Sequence, residues 1–254
     1  MRFPLATALL LAASATSLYA QKPLLTEDFE SGKIDPAIWE IRAKGAPTMA
    51  VEPADGAHGK FALHIHYPDM ERNAYTFIVA THLPDSIRTH YFGRAYMKVT
   101  PTIAQSHNPL IFTGEPGWPL SKFQEIGTYK GTWQPSYQEN KSLAGQGGGE
   151  QTFHADSGPP LDKWFLLEWE FSDNPTTIAM WVDGEKVMSP VTTGGEKTDV
   201  LKFTWPKVDG KTADLAGGYQ EFGIGMRAWQ NPTPAMDVYY DDIAIGASRI
   251  GPVK

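Results

Sequence analysis

Carboxylates near the two ends of the sequence form its clearest candidate chemical site. In the segment YYDDIAI, residues 239–245, alternation places Asp241 on the same face as the two isoleucines, which predicts that it points into the core. A core-facing carboxylate needs a cation or several hydrogen-bond donors to offset its desolvation. Glu30 is the natural second carboxylate, and the loop DGAHG, residues 55–59, offers carbonyl oxygens. Because these candidate ligands are all oxygens, we predict a structural Ca²⁺ bound by Glu30 and Asp241. The alternative is that Asp241 accepts backbone N–H bonds at a strand bulge.

Two further pairs of residues have a spacing that chemistry can use. Glu168 and Glu170 alternate onto the same side of a strand, and a retaining glycoside hydrolase needs two carboxylates about 5 Å apart. They lack the Glu-x-Asp-x-x-Glu pattern of one class of such enzymes, so this is the lesser option. His64 and His66 also share a strand face and could hold a metal, although a solvated face is the more common case. The sequence has no GxSxG, P-loop, Rossmann or HExxH motif.

The elements that must position these residues are β-strands. Period-two alternation recurs along the chain, and no stretch has a sustained helical period. Proline and glycine, with 20 and 24 copies, separate the strands. Many short strands at regular spacing predict an all-β fold, a two-sheet antiparallel jelly-roll sandwich with adjacent termini. The expected strands are residues 61–67, 75–83, 91–99, 110–113, 164–172, 177–182, 221–229 and 237–245.

One long region, residues 114–158, shows no strand pattern. It contains Trp118, Tyr129, Trp133 and Tyr137, followed by the glycine-rich AGQGGG. Long ordered loops in compact domains are usually functional, so we expect a functional loop here. A mobile surface insertion is the alternative for the glycine-rich part.

The first twenty residues are typical of a secretory signal. Arg2 supplies the positive charge, an apolar run follows over residues 4–15, and small residues lead to Ala20. We expect cleavage after Ala20, with cleavage after Ala15 or a retained anchor as alternatives. The apolar run is too short to cross a bilayer as a helix. Residues 21–254 then form a single domain that is secreted or periplasmic and has no membrane partner.

Composition excludes several function classes. The chain has 22 basic and 29 acidic residues, which disfavours a nucleic-acid partner. With no cysteine, it has neither thiolate nucleophiles nor disulfides, so the core must stabilise the fold. The 8 Trp, 10 Tyr and 12 Phe suit a polysaccharide partner, since flat aromatic faces grip sugar rings, but aromatics also fill sandwich cores. We expect a monomer.

Several segments together resemble the secreted cellulose-induced protein family of cellulolytic fungi and its bacterial relatives. They are EDFESG (27–32), FGRAYMKV (92–99), SHNPLIF (106–112), FGIGMRAW (222–229) and VYYDDIAIGASRIG (238–251). The family core is a β jelly roll similar to glucuronan lyases and, more remotely, alginate lyases. The resemblance implies a structural calcium whose side-chain ligands match Glu30 and Asp241. In FQEIGT, residues 123–128, this chain has Phe123 and Glu125 where the fungal protein has a His and an Arg.

The resemblance also implies an active cleft on a concave sheet, which would include Arg94, Tyr96 and Lys98. His107 matches a histidine of the family. From the alternation around residues 221–229, we expect Arg227 and Trp229 to share that surface with Arg94 and Tyr96, and His107 to lie at its rim.

Two functions follow from these expectations. A polysaccharide lyase must neutralise a uronate carboxylate, remove the C5 proton and protonate the leaving oxygen. Arginine suits the first task, and histidine or tyrosine suits the others; the candidates are Arg94, Arg227, His107, Tyr96, Tyr129 and Tyr137. The structural alternative is that His107 bonds a loop carbonyl and that Arg94 and Lys98 lie on a solvated strand face. The second function is a non-catalytic carbohydrate-binding jelly roll that uses Lys98, Trp118, Trp133 and Trp229.

Overall fold

The computed structural model contains two large antiparallel sheets that pack on one shared core. It describes residues 22–54, 58–68, 73–100, 107–119, 121–139, 150–173, 175–188, 201–202, 207–208, 211–212, 215, 217–229 and 235–253. The strands, in chain order, are β1 (Leu25–Glu27), β2 (Glu40–Lys44), β3 (Thr48–Pro53), β4 (Phe61–Tyr67), β5 (Tyr75–Ala80), β6 (His90–Val99), β7 (Asn108–Gly114), β8 (Lys122–Tyr129), β9 (Thr132–Glu139), β10 (Glu150–Thr152), β11 (Trp164–Asp173), β12 (Thr176–Val182), β13 (Glu185–Lys186), β14 (Leu201–Lys202), β15 (Lys207–Val208), β16 (Lys211–Thr212), β17 (Glu221–Arg227) and β18 (Met236–Gly246).

The sheets differ in size and in strand order. The nine-stranded sheet has the order β13-β12-β11-β6-β18-β4-β3, with β1 paired to β18 and β14 to β12. The seven-stranded sheet has the order β10-β9-β8-β7-β17-β5-β2. A separate hairpin joins β15 to β16, and a single 3₁₀ turn, Asp85–Ile87, is the helical element of the described residues. No described helix has the length and apolar character needed to cross a bilayer.

Alternation of apolar and polar residues explains why each sheet buries one of its faces against the other sheet. In β6, Tyr91, Ala95 and Met97 are fully buried, while the residues between them are partly exposed. Gly93 lies on the buried side, where a Cβ atom would come within 2.1 Å of the Trp169 ring, so only glycine fits. The shared core therefore includes side chains of both sheets, among them Ile78, Ile126, Phe222, Ile224 and Met226 from the seven-stranded one.

Two buried tyrosines connect the sheets by hydrogen bonds. The hydroxyl of Tyr67, in β4, donates to the carbonyl of Met226, and that of Tyr240, in β18, donates to the carbonyl of Gly225 at 2.6 Å. The backbone N–H of Thr76 in turn donates to the Tyr67 hydroxyl at 3.1 Å. Two neighbouring strands of the larger sheet, β4 and β18, are thus bonded to β17.

The predicted jelly-roll sandwich is confirmed, including the pairing of its first and last strands, Leu25 with Ile245. The expectation of a loop over residues 114–158 is wrong, because β8, β9 and β10 lie there. Most of β8 and much of β9 are buried on both faces, and β8 does not show the apolar–polar alternation that identifies a half-exposed strand.

Alternation also fails within β18. A bulge between Asp241 and Ala244, with Asp242 at φ 49°, changes the register. Tyr240 therefore lies in the core and Tyr239 on the outer face, the reverse of the prediction. Asp241 pairs with Tyr96 in the outward-facing register, yet it is fully buried. Its burial was predicted correctly, but the reason given for it was wrong.

Candidate functional site

The outer face of the seven-stranded sheet is built on β17. Alternation in EFGIGMR sends Phe222, Ile224 and Met226 into the core and leaves Glu221, Gly223, Gly225 and Arg227 on the other face. A Cβ on Gly223 would lie 2.1 Å from the Phe112 ring, and one on Gly225 would lie 2.2 Å from a backbone carbonyl. These glycines allow aromatic rings from the neighbouring strands to lie flat across the sheet.

Those rings form a second apolar cluster outside the main core. It consists of Phe77, Val79, Phe112, Trp118 and Phe123. Trp118 stacks on Phe112 with ring centroids 4.4 Å apart and is 3% exposed. Trp118 was predicted to be a sugar platform, but its ring faces are occupied by the protein itself.

Arg227 lies at one end of this cluster and is almost fully buried. Its guanidinium carbon is 3.3 Å from the centroid of the Trp229 ring, and Nη2 donates to Asn73 Oδ1 at 3.0 Å. Nε and Nη1 have no hydrogen-bond partner within the described part of the chain. Burial lowers the pKa of Arg227 to about 10, opposed by the attraction of Glu125. The side chain is therefore a cation at neutral pH with three N–H groups, one on Nε and two on Nη1, that could donate to an anion.

Glu125 and His107 lie beside this cation. Glu125, in β8, is completely buried, and its Oε1 accepts hydrogen bonds from Ser136 at 2.9 Å and Gln138 at 2.8 Å. Nε2 of His107 is 3.1 Å from the same oxygen, but without the alignment of a hydrogen bond. Glu125 Oε2 has no partner among the described residues. We call Arg227, Glu125, His107 and Trp229 the Arg227 cluster.

Backbone hydrogen bonds hold the segments of the Arg227 cluster together. The N–H of Trp229 donates to the carbonyl of His107 at 3.0 Å, and that of Asn73 donates to the carbonyl of Ala228 at 2.7 Å. Residues 69–72, 101–106 and 230–234, which adjoin these segments, lie outside the described residues. The cluster thus combines a desolvated cation, a carboxylate-contacted imidazole and the half-buried indole of Trp229. Such a set binds an anionic group and can move a proton.

The predicted shared surface of Arg94 and Arg227 is wrong. Arg94, Tyr96 and Lys98 lie on β6, which belongs to the nine-stranded sheet, whereas Arg227 lies on β17 of the other sheet. Arg94 donates to the carbonyls of Gly251 at 2.8 Å and Asp242 at 3.3 Å. Alternation had identified the face of each strand correctly, but it contains no information about which sheet a strand joins.

Two aromatic residues among the predictions are in the core instead. Trp133 and Tyr137, in β9, are fully buried between the sheets. Neither is available as a sugar platform or as a proton donor, so both predictions are wrong. Tyr129 is partly exposed at the end of β8, on the same face as Glu125, with its ring 5.3 Å from that of His154. Of the tyrosines proposed for chemistry, Tyr129 is the one that shares a strand and a face with a residue of the Arg227 cluster, Glu125.

Sequence reasoning missed the residues that position Glu125. Ser136 and Gln138 alternate with the buried aromatics of β9, and Gln134 has the same parity. The segment WQPSYQ, residues 133–138, contains a pattern that predicts a strand with one polar face, because its polar residues alternate with Trp133 and Tyr137.

The carboxylates of the predicted calcium site lie close together. Asp241 Oδ1 accepts from the N–H of Asp242 at 2.7 Å, while Oδ2 is buried without a partner among the described residues. Burial raises the pKa of Asp241 to about 8, and repulsion from Asp242 and Glu30 adds to this effect. Glu30 Oε1 accepts from the N–H groups of Lys60 at 2.7 Å and Phe61 at 3.0 Å, and these bonds lower the pKa of Glu30.

This arrangement fits a hard cation. A buried carboxylate oxygen without a donor, next to two further carboxylates, is destabilised unless a positive charge is present. A Cβ on Gly59 would lie 2.3 Å from Glu30 Oε1, so glycine leaves room for that carboxylate. Residues 55–57, the expected source of carbonyl ligands, lie outside the described part of the chain.

The two glutamates of β11 do not form a catalytic pair. Glu168 accepts two hydrogen bonds from Arg249, at 3.0 and 2.6 Å, and Glu170 contacts His90 at 2.7 Å. Each carboxylate is therefore already engaged by its own basic side chain. Glu168 lies in a cleft of about 620 Å³ on the outer face of the nine-stranded sheet, together with Tyr96.

Comparisons with known proteins extend these observations. A scan against protein-family models and a search of curated proteins give no match. Among solved structures, the cellulose induced protein Cip1 matches with a TM-score of 0.61 and 18% identity, over 90% of this chain and 100% of that one. The endo-β-1,4-glucuronan lyase of the fungus Trichoderma reesei matches with a TM-score of 0.60 and 16% identity, over 89% and 96%. The chain has their fold. The likeness in fold to cellulose-induced proteins and glucuronan lyases, predicted from the sequence, is confirmed.

Proposed function

We propose that this protein is an exported, polysaccharide-active jelly roll that cleaves uronic-acid-containing polysaccharide by β-elimination. The observation that carries the proposal is Arg227, a desolvated cation with two nitrogens, Nε and Nη1, that have no partner in the described structure. A uronate carboxylate is the planar anion that such a fork would bind bidentately. The similarity in fold to a glucuronan lyase supports the same substrate class.

The Arg227 cluster suggests how the elimination would proceed. Paired with Arg227, the uronate carboxylate loses part of its charge, which makes the C5 proton more acidic. His107 takes that proton, and Glu125 stabilises the resulting imidazolium through its 3.1 Å contact. The C4–O bond then breaks, a C4–C5 double bond forms, and the leaving oxygen receives a proton from Tyr129. No redox partner is required, because the proton removed and the proton added balance.

Product analysis tests this proposal. Each cleavage creates an unsaturated uronate that absorbs in the near ultraviolet, so incubation with glucuronan, alginate and pectin identifies the substrate directly. His107→Ala should abolish product formation while acidic polymer still binds. If the parent produces unsaturated ends and His107→Ala produces them equally fast, His107 is not the base, and Tyr129→Phe becomes the next variant.

A non-catalytic carbohydrate-binding role is the second candidate. It is favoured by the burial of His107, which is 6% exposed and stacked near Trp229, with ring centroids 6.3 Å apart. Binding requires no contact between the imidazole and a substrate carbon; Arg227, at 5% exposed, is as buried as His107, and Trp229 is the more exposed residue of the set. Under this alternative, Arg227 and Trp229 hold the polymer, and retention on immobilised polysaccharide occurs without new unsaturated ends.

We also propose that Glu30 and Asp241 bind a structural Ca²⁺ ion. Bound there, the ion would supply the charge that Asp241 lacks and would connect segments from the two ends of the chain. The proposed protein is a monomer outside the cytoplasm, with polysaccharide as its partner and no nucleic-acid or membrane partner.

A further inference from the structure

A cluster of metal-ligating side chains lies on the outer face of the nine-stranded sheet, in the opposite sheet from the Arg227 cluster. His64 and His66 are in β4, and Asp237 is in the adjacent strand β18, paired in register with His66. One donor atom from each residue lies within 4.8 Å of the others. We call these three residues the histidine cluster. It plays no part in the function proposed above.

A neutral His64 ring has too few N–H groups to donate to both of the carboxylates that it contacts. Its Nδ1 is 2.7 Å from Glu52 Oε1, and its Nε2 is 2.8 Å from Asp237 Oδ1. A neutral imidazole carries one N–H, so it can donate to only one of these carboxylates. The other contact then places a nitrogen lone pair against a carboxylate oxygen. Either a second proton or a metal ion between the two atoms must remove that repulsion.

The surroundings of the histidine cluster match those of a metal site. Glu52 Oε1 lies 2.7 Å from Nδ1, so it would stabilise a proton on that nitrogen and leave Nε2 to bind a metal, as in a carboxylate–histidine–metal arrangement. The ring of Tyr239 stacks on His64 with centroids 4.2 Å apart and planes within 5°, which holds the imidazole in place. His66 Nδ1 is 2.8 Å from the same Asp237 oxygen, so three ligand atoms already surround one point.

We propose that His64, His66 and Asp237 bind a divalent transition-metal ion such as Zn²⁺, with Glu52 as the positioning residue of His64. Two nitrogens and one oxygen suit Zn²⁺ and exclude Ca²⁺, which takes oxygen ligands. Bonds of about 2.1 Å in a tetrahedral site separate ligands by about 3.4 Å, so each nitrogen needs to move about half an ångström away from Asp237 Oδ1, which is 2.8 Å from both. The His66 side chain is 48% exposed, which leaves the fourth position open to water.

Metal titration of the tag-free, chelator-treated full chain tests the site. Calorimetry with Zn²⁺ in the presence of excess Ca²⁺ should show one strong equivalent, and Co²⁺ should give the visible absorption of a tetrahedral complex. His66→Ala and Asp237→Asn should each weaken Zn²⁺ binding by about 100-fold or more, and Glu52→Gln should weaken it by about 10-fold. His90→Ala is the matched control, because His90 also contacts a glutamate on this sheet but has no second histidine beside it.

The outcomes separate the alternatives. Loss of binding in both ligand variants, with melting curves like that of the parent and an unchanged His90→Ala, supports the site. If the parent binds neither Zn²⁺ nor Co²⁺, the cluster is an imidazolium held between two carboxylates, and the proposal is overturned. Equal Zn²⁺ affinity of the parent and Asp237→Asn overturns it as well. None of these results depends on whether the chain cleaves polysaccharide.

Discussion

At the scale of single residues, two arginines on the same sheet face show what distinguishes Arg227. Arg42 donates four hydrogen bonds, two to Glu221 and two to Glu40, and its guanidinium is fully used within the protein. Arg227 is more deeply buried and donates one to Asn73. Burying a cation without pairing it destabilises the fold, so a ligand anion at this position would recover free energy that the protein alone does not.

We therefore predict that Arg227→Ala weakens binding of glucuronan by about 10- to 100-fold, the loss of a charge-assisted, bidentate interaction of about 1.5–3 kcal/mol. Binding of a neutral glucan should not change. Arg94→Ala is the matched control, since Arg94 lies on the outer face of the other sheet. Affinity electrophoresis in gels containing each polymer measures both effects. Equal retardation of the parent and Arg227→Ala by glucuronan would refute the assignment.

At the scale of the elements, strands with one polar face were predictable and strands buried on both faces were not. Alternation identified β4, β6 and β18 as strands. It did not identify β8, because one face of that strand packs on the apolar core and the other face carries a buried polar cluster. Glu125, the β8 residue that contacts His107, was recognised from the sequence as a difference from the family that the chain resembles. It was not recognised as part of a site. Local pattern also could not assign β6 and β17 to different sheets, because strand partners are far apart in sequence.

Gly127 in β8 tests how closely β7 and β8 pack beside the Arg227 cluster. A Cβ there would lie 2.5 Å from the carbonyl oxygen of Asn108 and 2.9 Å from a backbone atom of Pro109. Because backbone cannot rotate away, Gly127→Ala should destabilise the protein by about 1–3 kcal/mol, measured by urea unfolding. Gly246→Ala is the control, since its nearest neighbour would be 3.7 Å away, an ordinary contact. Equal stability of the two variants would show that β7 and β8 separate easily.

The tyrosine bonds between the sheets give a second test at this scale. Tyr240→Phe removes the donor to the Gly225 carbonyl and should lower the free energy of unfolding by about 1–2 kcal/mol. Tyr239→Phe, one residue away on the outer face, should change it by less than about 0.5 kcal/mol. Urea denaturation of both variants provides the comparison, and similar losses in the two would argue against a specific contribution of the inter-sheet bond.

At the scale of the whole molecule, the proposed calcium site connects segments from opposite ends of the chain. Chelation with EDTA should lower the melting temperature and added Ca²⁺ should restore it, because an ion that binds the folded state stabilises it by mass action. Asp241→Asn should abolish the response to added Ca²⁺. Asp85→Asn, a change in a carboxylate of the 3₁₀ turn whose side chain is 88% exposed, is the control that should retain it. An unchanged melting curve after chelation would mean that Asp241 relies on backbone donors.

The pH dependence of the chelated protein provides an independent measure. Burial raises the pKa of Asp241 from 3.8 to about 8, so between these values the folded state keeps a proton that the unfolded state loses. The stability of the metal-free protein should therefore fall as the pH rises through that range. Ca²⁺ takes the place of the proton, so saturating Ca²⁺ should remove this contribution to the loss of stability. Thermal melts recorded from about pH 5 to about pH 8, with and without Ca²⁺, measure the difference.

The position of β18 has a consequence for how the chain acquires its structure. This strand lies between β4 and β6 and also pairs with β1, whose residue Leu25 is about 220 residues away from its partner Ile245. Until β18 is present, β4 and β6 have no strand between them and β1 has no partner at all. The nascent polypeptide therefore cannot close its larger sheet before nearly all of it has been synthesised. Late closure of this sheet is compatible with the export proposed above, because a chain that has not yet folded can pass through a secretion channel in extended form.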